Sequence, residues 1–251
     1  MQAQIAHNML SSGDWVTARL DGVKYLEKSP LWYWLIAICF KIFGVHDWAA
    51  RIPVVLSAML LCWVTYRFGR WAFSKEAGTY SGIVAASCVG IFLFTRILIP
   101  DVCLTAFIAL SLWAFMRAID PEPTCSRAWF CDQRNGTATV RERSFGFFKI
   151  PWAYTFFAGI AIGMLLKGLI AALFPVGIAC TYLIVTGQWR NRTVWGRLHI
   201  WTGTLIAIAI AAPWHILATL RNPPYFVATL HSGPGEYKGF FWFYFVNEHL
   251  L

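Results

Sequence analysis

The residues of this sequence that could do chemistry are charged side chains beside strongly apolar segments. Lys28 follows Glu27 and directly precedes Ser29-Pro30 and an aromatic run. A lysine ammonium is a compact point charge that could bind a lipid phosphate. A lysine that snorkels from apolar surface toward water would give the same pattern. Composition alone therefore leaves both interpretations of Lys28 open.

Two further sites of this kind lie between pairs of apolar stretches. Arg96 and Asp101 flank a short turn, and ionisable groups at membrane depth are functional candidates. Pro100 also places Asp101 at the start of a helix, where the helix dipole favours a carboxylate, so a structural role stays open. Lys167, followed by Gly168, either snorkels to the membrane surface or binds an anion.

Metal and acid–base chemistry have weaker support. Glu248 and His249 could form an acid–base pair, but such dipeptides are common. Cys125 and Cys131 fit no standard zinc spacing, and the histidines show no metal-ligand spacing. The sequence therefore predicts no metal site and no certain cofactor, and it leaves a divalent-metal requirement open. It also contains no Gly-rich phosphate loop and no nucleotide-binding fingerprint.

The composition defines the elements that must position these residues. Of 251 residues, 58% are hydrophobic and 13% are charged, whereas soluble domains have about 45–50% and about 25%. These fractions exclude a disordered chain, a coiled coil and an ordinary soluble enzyme, and they favour a multi-span membrane protein. The net charge of +9 is explained by membrane topology, so no nucleic-acid partner is expected.

Six stretches are long and apolar enough to be predicted as membrane spans. They are Ile52–Tyr66, Gly78–Leu98, Val102–Arg117, Trp152–Leu166, Leu169–Thr186 and His199–His215. The two around Lys167-Gly168 are predicted to form a tight helical hairpin. Leu31–Phe43 is too short to span and, with its Trp32, Tyr33 and Trp34, is expected to be an interfacial helix.

The distribution of basic residues predicts the orientation. One side of the six spans carries 12 of the 21 lysines and arginines, so the positive-inside rule makes that side cytoplasmic. Both termini are then extracytoplasmic, on the same side as Lys28, Arg96, Asp101 and Lys167. The predicted organisation is an outer loop over 1–51, a six-span bundle over 52–215 with a cytoplasmic connector at about 119–151, and the start of a second outer loop over 216–251.

Several segments together resemble the polyprenyl-phosphate-dependent GT-C glycosyltransferases, which include the protein mannosyltransferases and the lipid A aminoarabinose transferases. The segments that carry the resemblance are Ser12–Trp15, Asp21–Leu31, Tyr33-Trp34, Phe43–Val45, Ala49–Pro53, Arg96–Asp101, Leu104-Thr105, Gly163–Gly168, Ala211–Trp214, Arg221–Pro223, Phe226 and Asn247–His249. The resemblance implies an all-α polytopic membrane protein: a GT-C-like transmembrane helix bundle with interfacial helices in the first outer loop.

The resemblance also implies an enzyme of the cell (inner or plasma) membrane. It would transfer a sugar from a polyprenyl (undecaprenyl-type) phosphate donor to a lipid or protein acceptor on the outer side. Lys28 matches the family lysine expected to bind the donor phosphate, with Arg96 and Lys167 as secondary phosphate ligands. Asp101 matches an acidic residue of the second outer motif and is the catalytic candidate. The remaining matched residues would line the site: Tyr25, Glu27, Glu248 and His249.

Two departures from the family pattern are visible. Ser29 replaces the first proline of the usual Lys-Pro-Pro sequence. The acidic pair that carries the family's presumed catalytic base would precede Met1, so the chain is expected to be truncated at both ends. The alternative hypothesis is therefore a non-catalytic fragment, or a membrane protein that binds lipid phosphate without turnover.

Overall fold

The computed structural model describes residues 1–120, 152–225, 227, 229 and 238–247. These form α1 (Gln2–Ser12), β1 (Arg19–Leu20), β2 (Val23–Lys24), α2 (Leu31–Phe43), α3 (Asp47–Ala72), α4 (Lys75–Ser87), α5 (Val89–Arg96), α6 (Asp101–Ile119), α7 (Trp152–Lys167), α8 (Ile170–Val185), a 3-10 turn (Gln188–Arg190), α9 (Arg192–Leu198), α10 (Ile200–Arg221), α11 (Gly239–Phe241) and a π-helical turn (Trp242–Asn247). Most of the predicted connector, with Cys125 and Cys131, lies outside the described residues, as do Glu248 and His249.

The described chain is an all-α membrane bundle, as predicted, with one antiparallel pair of two-residue strands. Among the described residues, three helical segments are long and apolar enough to cross a membrane: α3, α6 and the α9–α10 segment Arg192–Arg221; the bent pair α4–α5 would be a fourth if it forms one span. The predicted single helix over Gly78–Leu98 is instead two helices, α4 and α5, bent by 44°. The bend falls at Cys88, whose backbone is extended and which lies between Ser87 and Gly90, a combination that typically kinks helices.

The helices α7 and α8 meet at the predicted turn. Gly168 adopts a φ of +83°, which glycine tolerates without steric cost, and its amide donates to the Met164 carbonyl at 2.9 Å. Each helix has 16 residues, or about 24 Å at 1.5 Å per residue, which is shorter than a typical bilayer core. The count of six spans and the three-part division of the chain therefore stay predictions.

The N-terminal segment packs on the membrane helices through an aromatic core. Trp32 and Tyr33 of α2 are only 2% and 1% exposed, and Ile5 of α1 and Leu166 of α7 belong to the same buried cluster. Trp32 and Tyr33, which the sequence places on a predicted interfacial helix, therefore pack inside the protein. They are buried because α2 contacts three other helices, α1, α3 and α7.

Hydrogen bonds from two indoles and one amide attach this segment further. Trp34 Nε1 donates to the Trp15 carbonyl at 2.7 Å, and Trp214 Nε1 of α10 donates to the Val16 carbonyl at 3.1 Å. The amide Nδ2 of Asn222, at the end of α10, donates to Thr17 Oγ1 at 3.2 Å. The loop between α1 and β1 is thus bound to α2 and to α10 with its C-terminal end.

Small residues allow α6, α7 and α8 to approach closely. A Cβ on Gly159 of α7 would lie 2.3 Å from Ser111 Oγ of α6, and one on Gly163 would lie 2.8 Å from the Ala171 Cβ of α8. Close contacts at small residues are the usual means by which membrane helices associate. The packing matters for the site because α6 begins with Asp101 and α7 ends with Lys167.

Candidate functional site

Asp101 and Lys167 form an ion pair between the start of α6 and the end of α7. Lys167 Nζ donates to Asp101 Oδ1, although the two residues are 66 positions apart. The two side chains are 36% and 29% exposed, so the pair is open to a ligand. The structure thus brings together two residues that the sequence placed at separate turns.

Glu27 and Lys28 form a second ion pair on the loop before α2. Lys28 Nζ lies 2.6 Å from Glu27 Oε1, and the side chains are 37% and 39% exposed. The hydrogen bond from Lys28 lowers the pKa of the Glu27 carboxyl below its ordinary value, opposed by partial burial and supported by a hydrogen bond from Tyr25. Glu27 therefore remains ionised near neutral pH and neutralises Lys28 while no ligand is bound.

A cavity of about 130 Å³ lies where these elements meet. Lys28, Asp101 and Lys167 line it, together with Ser29 and the turn residue Pro100. The remaining lining residues are Gln2, Trp32, Tyr33, Ile99 and Leu166. The volume exceeds the minimum for a bound water several-fold, so a small polar group fits. Two lysines and one carboxylate line the cavity, and Glu27 outside the lining balances Lys28. An anion that displaces the two carboxylates would contact both ammonium groups.

Three of the described sequence candidates do not line the cavity: Tyr25, Glu27 and Arg96. Arg96 is exposed, with its guanidinium 4.7 Å from the ring centroid of Phe92, and its carbonyl accepts from Arg51 Nη1 at 3.2 Å. The Tyr25 ring packs edge-on against Tyr33 at 6.5 Å and supports Glu27. Their proposed contacts with a ligand stay predictions.

Ser29 is a site residue that sequence reasoning did not assign. Its side chain is 1% exposed, and its hydroxyl donates to the Met164 carbonyl of α7 at 2.9 Å and shares a hydrogen bond with the Tyr244 hydroxyl. The one signal in the sequence was a serine at a position where the resembled family has proline. That signal is not enough to assign Ser29 a role, because its hydrogen-bond partners lie 135 and 215 residues away in the sequence.

Sequence reasoning also did not assign the two aromatic residues that line the cavity, Trp32 and Tyr33. Among the described residues, Trp32 Nε1 and Tyr33 OH are buried and have no hydrogen-bond partner. Burial raises the pKa of the Tyr33 phenol well above its ordinary value, so it stays protonated. In the same part of the chain, no three His, Cys, Asp or Glu side chains come together to form a metal site.

Comparison with known proteins shows what the chain is similar to. Residues 27–131 match the family model described as dolichyl-phosphate-mannose-protein mannosyltransferase. The chain is also 25% identical to ArnT from Cupriavidus metallidurans, solved without ligand and bound to undecaprenyl phosphate, with a TM-score of 0.75 over 99% of the chain. The chain is related to the GT-C polyprenyl-phosphate glycosyltransferases. The resemblance predicted from the sequence is thereby confirmed.

Curated relatives agree with this family. An undecaprenyl phosphate-α-4-amino-4-deoxy-L-arabinose arabinosyl transferase of Pseudomonas fluorescens strain Pf-5 is 30% identical over 99% of the chain. A transferase of the same description from Enterobacter sp. strain 638 is 24% identical over 96% of the chain. The chain spans 36% and 41% of the length of these two relatives, respectively, and 39% of the ArnT chain.

Proposed function

We propose that this protein acts as a membrane glycosyltransferase that takes a sugar from an undecaprenyl-phosphate donor. The observation that supports this most is the cavity lined by both Lys28 and Lys167, next to Asp101. Two ammonium groups at one cavity complement the charge of a lipid phosphate, a charge that a neutral sugar lacks. The names of the relatives favour 4-amino-4-deoxy-L-arabinose as the sugar. The acceptor is proposed to be a lipid or a protein.

In the proposed reaction the bond between the sugar C1 and the phosphate oxygen breaks, and the phosphate leaves with the electron pair. Lys28 and Lys167 stabilise the negative charge that develops on the leaving phosphate. An acceptor hydroxyl forms the new bond to C1 and gives its proton to Asp101. Because Lys167 is paired with Asp101 in the described chain, binding of the phosphate is expected to draw Lys167 away and free the carboxylate.

A second candidate function is binding of lipid phosphate without transfer. One observation favours it: Asp101, the only carboxylate among the described residues that line the cavity, is neutralised by Lys167. A carboxylate that stays paired is a poor proton acceptor. The two functions predict the same affinity for undecaprenyl phosphate and differ in turnover.

The test is to measure the dissociation constant for undecaprenyl phosphate in lipid nanodiscs, together with sugar transfer. Lys28→Ala should weaken binding by about 10- to 100-fold, since a hydrogen bond to a charged group contributes about 1.5–3 kcal/mol. Lys24→Ala, at an exposed position on β2, is the matched control and should bind normally. Unchanged binding by Lys28→Ala would refute the phosphate assignment.

Asp101→Asn separates the two functions. It should abolish transfer while binding of undecaprenyl phosphate remains within a few-fold of the unmodified protein. Transfer at an undiminished rate would refute Asp101 as the proton acceptor. A protein that binds the lipid tightly but shows no transfer with any acceptor would favour the binding function.

The cavity is also proposed to face the extracytoplasmic side, together with both ends of the described chain. This assignment is supported by the excess of lysine and arginine on the opposite side of the predicted spans. Labelling of an introduced cysteine at Val45 by a membrane-impermeant reagent in intact spheroplasts tests it. Labelling only after permeabilisation would reverse the orientation.

A further inference from the structure

Ser29 connects the backbone segments that carry the two lysines of the cavity. It follows Lys28 directly, and its hydroxyl donates to the carbonyl of Met164, three residues before Lys167. A serine hydroxyl has one proton. Because that proton goes to Met164, the Tyr244 hydroxyl must be the donor in the hydrogen bond that it shares with Ser29.

The Met164 carbonyl has a second role, because it also accepts from the Gly168 amide at 2.9 Å. That bond closes the turn that bears Lys167. Both lone pairs of one carbonyl oxygen are therefore used, one by the turn of α7 and one by the loop of Lys28. The loop and the turn are bound to the same atom, which fixes their separation.

The backbone on the other side of Ser29 is also restrained. Trp34 N donates to the Pro30 carbonyl at 3.0 Å in the first turn of α2, and Trp32 and Tyr33 are almost fully buried. The Lys28 side chain is 37% exposed and pairs with the adjacent Glu27, and a lysine side chain carries about 2 kcal/mol of rotamer entropy. Its position relative to Lys167 is therefore set by the backbone at Ser29.

We propose that Ser29 is a positioning residue for the donor phosphate. Its hydroxyl fixes Lys28 at the separation from Lys167 at which both ammonium groups contact one phosphate. Tyr244, through its bond to Ser29, makes the segment 238–247 part of the same assembly. This inference rests on the proposed function, since it assumes that the ligand is the phosphate of a polyprenyl lipid.

The experiment compares Ser29→Ala with Ser57→Ala for binding of undecaprenyl phosphate in nanodiscs. Ser57 is a matched control because it is also buried, at 6% exposure, and donates to a backbone carbonyl, that of Pro53 at 2.6 Å, on α3 and outside the cavity lining. Both variants should lower the unfolding midpoint slightly. Only Ser29→Ala should weaken binding, by about tenfold, the equivalent of about one hydrogen bond. Equal affinities of the two variants would overturn the proposal.

A double-mutant cycle with Lys28→Ala provides a readout that a purely structural role would not change. If Ser29 acts by positioning Lys28, Ser29→Ala should have no further effect on affinity once Lys28 is alanine. Additive losses would overturn the proposal. If Ser29→Ala does not fold, Tyr244→Phe takes its place in the same cycle, with an expected two- to threefold loss that also disappears without Lys28.

The two hypotheses fail in different ways. No binding of undecaprenyl phosphate by the unmodified protein would refute the proposed function. Normal binding that depends on Lys28 and is insensitive to Ser29 would refute only the positioning role.

Discussion

Replacing Gly159 with alanine tests the packing that places Asp101 against Lys167. The new methyl group would lie 2.3 Å from Ser111 Oγ, whereas the next atoms, the Phe107 carbonyl oxygen and the Ser111 Cβ, would lie at 3.5 Å. The first distance is a severe overlap and the other two are ordinary contacts. The obstruction is therefore a single hydroxyl oxygen on α6.

The expected magnitude follows from the two ways in which this overlap can be relieved. Either Ser111 rotates and loses its 2.8 Å bond to the Phe107 carbonyl, or α6 and α7 move apart. Overpacking of this kind costs about 1–3 kcal/mol, partly offset by about 0.5–1 kcal/mol from the better helix propensity of alanine. At about 2–4 °C per kcal/mol, a net loss of about 1–2 kcal/mol lowers the unfolding midpoint by about 2–8 °C.

Thermal unfolding in nanodiscs, followed by tryptophan fluorescence, measures this shift. Adding Ser111→Ala to Gly159→Ala should restore the midpoint, because it removes the one overlapping atom. Gly177→Ala on α8 is the control, since a Cβ there meets nothing within 4 Å. The reasoning would be refuted if Gly159→Ala were as stable as Gly177→Ala, or if Ser111→Ala gave no recovery.

Three further results are expected. Asp101→Asn should change the unfolding free energy by no more than about 1 kcal/mol, because a partly exposed ion pair contributes little; a larger loss of the thermal midpoint would show a structural role. Glu27→Gln should tighten undecaprenyl phosphate binding severalfold, since it frees Lys28. The pKa of Glu27 is lowered, so the higher affinity of the variant over the unmodified protein should persist from pH 8 to pH 5. It should disappear only as the pH falls through that lowered pKa, where Glu27 itself becomes neutral. An advantage that disappears above pH 5 would contradict the assignment. Trp214→Phe removes the bond to the Val16 carbonyl and should speed proteolysis of the loop between α1 and β1, whereas Trp201→Phe, at an 87% exposed ring, should not.

The membrane class and the positions of the predicted helices could be predicted because they depend on local apolar character. Leu31–Phe43 has the same bounds as α2, and the turn at Lys167-Gly168 separates α7 from α8. The bend at Cys88 was missed because the mean hydropathy of Gly78–Leu98 stays high through Ser87 and Gly90, the residues that permit the bend. The predicted span that begins at Ile52 starts five positions late, because hydropathy detects only the apolar part of α3 and not its polar first turn at Asp47.

The candidate site could be predicted only in part. Lys28, Asp101 and Lys167 were identified because a charge beside an apolar segment is visible in sequence. That Asp101 pairs with Lys167 and Lys28 with Glu27 required the structure, since each lysine had several carboxylates on its predicted side. Ser29 could not be assigned, because its partners are determined by the packing of α7 and of segment 238–247.

The bonds that attach the loop between α1 and β1, together with those of Ser29 before α2, also set an order of events during synthesis. The partners of Ser29, Val16 and Thr17 are made 135, 198 and 205 residues later. At about 5–20 residues per second, these atoms appear about 7–40 s after the loop itself. Throughout that interval the loop between α1 and β1 has no partner on α10, and the Lys28-Ser29 segment has none on α7. The cavity is therefore completed late, after the helices that surround it have been synthesised.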